Sequence, residues 1–275
     1  MLEPNFSESQ LQQAVNSAFI RLIFEERGEW VFANVPSLFD EFVLGWDSAF
    51  YFPWLPHPAL EEHEGCNFFI QYKLSCELTT RGAGQWNDWK EPYLRFKIPH
   101  STKGPDNRHQ DDYHQWERLK ELANKNYPTF YATNSTLKKE NLKEISKDGS
   151  LLCKTPFLDV RDITQLHKYV TFTETSDFFL LHSEIEKSPR LGNDFIFERL
   201  RETRKASMSE SNRLLYESLK ELAVNDESWQ VDLRQISDSL SSGSDVGKVW
   251  LVRSLLSGFI GRHIGAQMFW YPGRG

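Results

Sequence analysis

The sequence predicts a mixed α/β (α+β) protein, with a mixed central sheet flanked by helices and a helical C-terminal region. Over about the first 135 residues, short runs dense in aromatic and β-branched residues alternate with amphipathic helical patterns. From Asn193 onward the periodicity is helical. A chain of 275 residues that is 39% hydrophobic can bury a sizeable core, as one large domain or two modest ones. The expected boundaries are an α/β domain over 1–192, with its core at about 8–135, and a helical region over 193–275.

The first helix is expected over 8–27. Ser7-Glu8-Ser9-Gln10 resembles a capping box, and Leu11, Val15, Ala18, Phe19, Leu22 and Ile23 recur at helical spacing before Gly28. Trp30–Val35 and Phe42–Phe52 read as strands separated by Pro36-Ser37. Asn67–Ser75 is apolar enough for a central strand, and Tyr93–Pro99 alternates apolar with basic residues as a half-buried strand does. A helix over 111–124 and a strand over Thr129–Thr133 complete this half. Further on, the patterns predict a helix at 137–147, strands at 169–175 and 177–182, and helices at 194–205, 209–224, 229–240 and 248–270. Gly258, Gly261 and Gly265 suggest close packing of that last helix.

Charge is divided unevenly along the chain. Residues 1–100 carry 7 Lys+Arg against 14 Asp+Glu, whereas residues 101–275 carry 25 of each, so the net −7 sits in the first segment. That suits a carboxylate-based metal site or an ordinary acidic surface, and it argues against broad electrostatic capture of a phosphate backbone. Three irregularly spaced cysteines, Cys66, Cys76 and Cys153, give neither a disulfide framework nor a paired metal signature, which points to reduced thiols in a cytoplasm. No signal-peptide pattern opens the chain, and no stretch of about 18 uncharged apolar residues occurs, so no membrane partner is expected.

The residues that could carry chemistry are Asp47, on an expected strand, and Gln71-Tyr72-Lys73, on the next one, 24 residues later. Gln71 and Lys73 share a face because strand residues two apart point the same way, and Tyr72 faces the other side. Gly45-Trp46-Asp47 and Gln71-Tyr72-Lys73 resemble the Gly-x-Asp and Gln-x-Lys elements of the Mrr-type branch of the PD-(D/E)XK nuclease superfamily, over about residues 8–135. The resemblance implies a restriction-endonuclease-like fold and metal-dependent hydrolysis of DNA, or of RNA, in restriction or anti-phage defence. It also implies Mg²⁺, or Mn²⁺, held by Asp47, by Gln71 and by the Tyr72 backbone carbonyl. Oxygen ligands of this kind suit Mg²⁺, and the ion lowers the pKa of a bound water. Lys73 would orient that water and stabilise charge on phosphorus. With Gln in the second acidic position the set lacks one negative charge. Glu41 is the first choice to supply it, with Glu25 and Glu26 as rivals.

Arg81, Lys90, Arg95 and Lys97, with Trp86 and Trp89 nearby, could line a nucleic-acid groove by phosphate pairing and base stacking. A solvated strand face over core aromatics is the commoner origin of such a pattern. His114, Glu117 or Arg118 could reach the site from the second helix. Gly243–Val249 is one residue short of a phosphate loop, and the histidines are too irregular for a zinc set. The other class of function open to the chain is a catalytically inactive scaffold that binds nucleic acid, a partner protein or a second copy of itself.

Overall fold

A computed structural model describes residues 1–27, 64–99, 102–103, 109–110, 115–223, 227–241 and 246–273. The expected strands at 30–35 and 42–52, and with them Asp47 and Glu41, lie outside the described residues. The protein is of the mixed α+β class the sequence predicts. It divides into two compact units: residues 1–22, 71–120 and 129–198, and residues 23–70, 121–128 and 199–275.

In the first unit, helix α1 (Glu8–Arg27) begins at the expected residue, with the Gln10 amide donating to Ser7 Oγ at 3.1 Å. Its Leu11, Val15 and Phe19 are buried, and the Phe19 ring packs 6.2 Å from Phe157 and 5.9 Å from Phe197. Strand β1 (Glu64–Lys73) reaches this unit with its last residues, beside β6 (Thr129–Thr133) and β7 (Phe157–Asp159). A second sheet is antiparallel in the order β10 (Glu186–Pro189), β9 (Phe178–His182), β8 (Tyr169–Phe172), β3 (Tyr93–Lys97), β2 (Cys76–Leu78).

The register of that sheet sorts its side chains. Leu94 opposes Phe172, Phe96 opposes Val170 and Val170 opposes Leu181, so across β3, β8 and β9 one face is apolar and buried. The opposite face carries Arg95, Lys97, Tyr169, Thr171 and His182, as the alternation in Tyr93–Pro99 predicts. A single helical turn, α2 (Trp86–Trp89), lies on it. Trp89 donates to Thr171 Oγ1 at 2.9 Å and stacks on Phe178 at 5.3 Å. A two-stranded ribbon, β4 (Thr102–Lys103) with β5 (His109–Gln110), follows, and then α3 (Gln115–Asn124). Lys120 of α3 donates to the Arg161 and Ile163 carbonyls at 2.8 Å, supplying donors to the turn after β7. Helices α4 (Lys139–Lys147), α5 (Leu151–Lys154) and α6 (Asn193–Glu202) complete the elements that lie mainly in this unit.

In the second unit, the first part of β1 pairs antiparallel with β12 (Gln267–Pro272) and β11 (Ala206–Ser207). Helices α7 (Met208–Leu222), α8 (Glu227–Ser241) and α9 (Val246–Phe259) pack here. Arg253 of α9 donates to Asn67 Oδ1 at 2.8 Å and lies 5.1 Å from the Trp270 ring centre, pinning strand and ring together. Buried Cys66 has its thiol pushed up to about 11 by burial, against the opposing pull of Lys205.

The helix predicted over 248–270 stops at Phe259, passes through a wide turn over Ile260–Ile264, and gives way to strand β12. Gly265, at φ +75°, ends the helical path, so its role is termination. Gly261 has open space around its Cβ position, which removes the close-packing reading there. The 193–275 segment is therefore not helical throughout.

Candidate functional site

The Gln71-Tyr72-Lys73 segment closes β1, and each of its side chains meets a different partner. Gln71 is buried, donates from Nε2 to the Tyr72 carbonyl at 2.9 Å and accepts from Gln115 Nε2 at 3.1 Å. Tyr72 is buried too; its hydroxyl donates to Asn16 Oδ1 of α1 at 2.8 Å, and burial holds its pKa well above the ordinary value. Lys73 is half-buried, and loss of water lowers its pKa while the Glu8 carboxylate pulls the other way. Glu8 keeps solvent on one flank; its pKa is raised by loss of water on the other, against the opposing effects of Lys73 and a hydrogen bond with the Leu74 backbone.

Just beyond Lys73 the chain is clamped. Asn134 accepts from the Ser75 amide at 2.7 Å and donates to the Ser75 carbonyl at 3.1 Å and the Thr136 carbonyl at 3.0 Å. The Ser75 and Thr133 hydroxyls are 2.6 Å apart. A buried amide that satisfies both the amide and the carbonyl of Ser75 fixes the backbone just beyond Lys73.

Gln115 and Glu8 are the two residues that sequence reasoning did not reach. The second helix does send a side chain to the site, but it is Gln115. Glu117 is exposed and Arg118 half-buried, and His114 lies outside the described residues. The glutamate brought to Lys73 comes from the start of α1. Glu25, in the last turn of that helix, is 17 residues further on, roughly 26 Å of helix axis at 1.5 Å per residue, so it does not share Glu8's place.

The described residues fit a hard cation in kind. Among the described residues, Gln115 Oε1 is buried with no hydrogen-bond partner, next to the Gln71 carboxamide that Gln115 already bonds. Amide oxygens and a carbonyl are oxygen ligands of the Mg²⁺ type. Two features limit the set. The Tyr72 carbonyl accepts the Gln71 amide nitrogen, so joint use of Gln71 Oε1 and that carbonyl requires the carboxamide to turn over. Among the described residues there is also no group of three His, Cys, Asp or Glu side chains able to hold a metal.

The four basic residues divide. Arg81, Lys90 and Lys97 are exposed, with Lys90 in the left-handed conformation (φ 61°) that ends α2. Arg95 is half-buried: its guanidinium donates to Gln85 Oε1 at 3.1 Å and sits 4.6 Å from the Tyr169 ring centre. Phe178 already has Trp89 stacked on it and Lys187 3.8 Å from its ring centre, so it offers no free ring face for a base. No helix among the described residues is long and apolar enough to cross a membrane. Comparison with family models, with curated proteins and with solved structures returns no match.

Glu8→Gln tests the pairing at the end of β1. Removing the carboxylate removes the effect that raises the Lys73 pKa, so the Lys73 Nζ titration followed by NMR should move further down. The sign for stability follows as well. A carboxyl raised in the fold holds a proton that the unfolded chain has released, so its contribution declines as pH rises from 4.5 through the folded value. The variant should lack that decline. An unmoved Lys73 titration would show that the two groups do not interact.

Proposed function

We propose that the chain is a metal-dependent endonuclease of the PD-(D/E)XK kind that hydrolyses DNA, in a cytoplasmic restriction or anti-phage setting. The observation that carries this reading is the end of β1: Gln71 and Lys73 two residues apart, the lysine half-buried with a lowered pKa and the glutamine beside an orphaned amide oxygen. Perturbed titratable groups beside unsatisfied polar atoms mark sites more often than they mark ordinary surface. Asp47, Gln71, the Tyr72 carbonyl and Glu41 would hold Mg²⁺ or Mn²⁺, which when bound supplies a water acidic enough to attack phosphate. Lys73 would orient that water and stabilise charge on the phosphoryl oxygens, and its loss of hydration strengthens both effects. Arg81, Lys90 and Lys97 are the exposed cations available to DNA backbone. A cut in both strands would call for two copies of the chain.

One observation favours the other class, an inactive scaffold of the same fold that binds nucleic acid or a partner protein of a defence system. Gln71, Tyr72 and Arg95 all spend their polar atoms on neighbours within the chain. Incubating the full chain with plasmid and single-stranded DNA, with Mg²⁺ or Mn²⁺, separates the two. The nuclease reading requires cleavage that is lost in Asp47→Ala and Lys73→Ala. Cleavage that survives both substitutions, or none by the wild type, would sink it.

A further inference from the structure

We propose that the groove between α1 and α4 is a docking site for an acidic amphipathic helix of a partner protein. The groove has a cavity volume of about 470 Å³ and lies wholly within the first unit. One wall is a continuous face of α1: Gln10, Gln13, Ala14, Ser17, Ala18 and Arg21, at spacings of three and four residues. The other is the Lys139, Leu142, Lys143 and Ser146 face of α4. Leu11, Val15 and Phe19 bury the opposite side of α1, so the groove-lining face is a second face that the core does not use.

Shape and charge specify the occupant. Ala14, Ala18 and Leu142 make the floor, and small residues let a third helix approach closely. Ser17 and Ser146 turn their hydroxyls back to carbonyls of their own helices, Gln13 at 2.8 Å and Leu142 at 2.7 Å. Neither therefore demands a partner from the ligand. The rim carries Arg21, Lys139 and Lys143, and among the described residues no carboxylate lines the groove, although the chain as a whole is net −7. Glu140 and Glu144 fall on a separate stripe of α4. An apolar floor under a cationic rim matches a helix with apolar residues at i, i+3, i+4 and i+7 flanked by Asp or Glu. A nucleic-acid backbone would have no use for that floor.

The walls are also held apart at a fixed spacing. At one end the Lys139 amide donates to Asn5 Oδ1 at 2.5 Å and the Asn5 amide to the Leu137 carbonyl at 2.9 Å. At the other, Arg21 donates to the Lys147 carbonyl at 3.3 Å and lies against Gly149, whose φ of +81° favours glycine. Tied at both ends, the groove is preformed, which lowers the cost of binding.

The test is selection from a displayed library of random peptides long enough to lie along the groove, about a dozen residues at 1.5 Å per residue. The bait is the full chain. Selected peptides are expected to combine acidic residues with helically spaced apolar ones. In fluorescence anisotropy their synthetic forms should lose about tenfold or more in affinity against Lys139→Glu/Lys143→Glu, and also against Ala18→Trp, which fills the floor. Circular dichroism and thermal unfolding of both variants should match wild type, so that loss of binding reports the groove. The proposal is overturned by an empty selection, by peptides without acidic residues, or by affinities that neither variant changes. It is equally overturned if the lysine reversals abolish binding of a short labelled single-stranded DNA while no peptide is selected.

Discussion

Under the proposed nuclease reading, Lys73→Met should lower the single-turnover rate of DNA cleavage by roughly 10²–10³-fold, the usual cost of removing one preorganised group that stabilises developing charge. The side chain stands at the end of a strand whose exit is fixed by Asn134 and whose preceding residues are bonded to α1 and α3. The backbone that carries it is thus fixed before substrate arrives, and methionine keeps the apolar stem while deleting the charge. DNA affinity should change much less, because one ammonium is a small part of the backbone contacts that set binding. Rapid-quench kinetics with saturating Mg²⁺ measure the first quantity, and anisotropy in Ca²⁺ the second. A loss confined to affinity would make Lys73 a binding residue and remove its role in the chemical step.

Gly65→Ala should be among the most damaging single substitutions for stability. A Cβ at residue 65 would lie 2.4 Å from Trp270 Cε2, 2.5 Å from Cζ2 and 2.6 Å from Nε1, well inside van der Waals contact. The ring has no simple retreat: Trp270 is 1% exposed, the Arg253 guanidinium lies 5.1 Å from its ring centre, and Arg253 is itself bonded to Asn67. Either the β1–β12 register gives or the indole is expelled. Overpacking of this kind costs about 1–3 kcal/mol, and a pinned ring puts the expected value at the upper end. Leucine has no atom that reaches these ring positions, so Gly65→Ala in a Trp270→Leu background should cost less than in wild type. Urea unfolding of the four proteins gives the coupling directly. Strictly additive effects would mean that the alanine methyl and the indole do not meet.

Local pattern and long-range juxtaposition were not equally legible in the sequence. Helix α1 was readable because a capping serine and a helical stripe agree, and β6 because Thr129–Thr133 is bounded by Pro128 and Asn134. The C-terminal strand was misread as helix because an apolar run has the same composition in a buried helix and a buried strand. The cue that separates them was present: Gly265, followed by the aromatic run of Phe269, Trp270 and Tyr271. At the candidate site, Gln71 and Lys73 could be paired from their spacing alone, since period two puts them on one face. Glu8 and Gln115 could not. They lie 65 residues before Lys73 and 44 after Gln71, and only helix packing against the strand brings them in. Arg95 was legible as a strand-face cation but not as one already committed to Gln85 and Tyr169.

The claim that the end of β1 is half of a cation site is tested most directly by Mn²⁺ binding, followed by the loss of the free-ion electron paramagnetic resonance signal. The full chain should bind Mn²⁺, and that binding should be abolished in Asp47→Ala, weakened in Gln71→Ala and competed by Mg²⁺. Lys73→Met should leave it in place. Mn²⁺ binding that Asp47→Ala and Gln71→Ala leave unchanged, or no binding by the wild type, would contradict it.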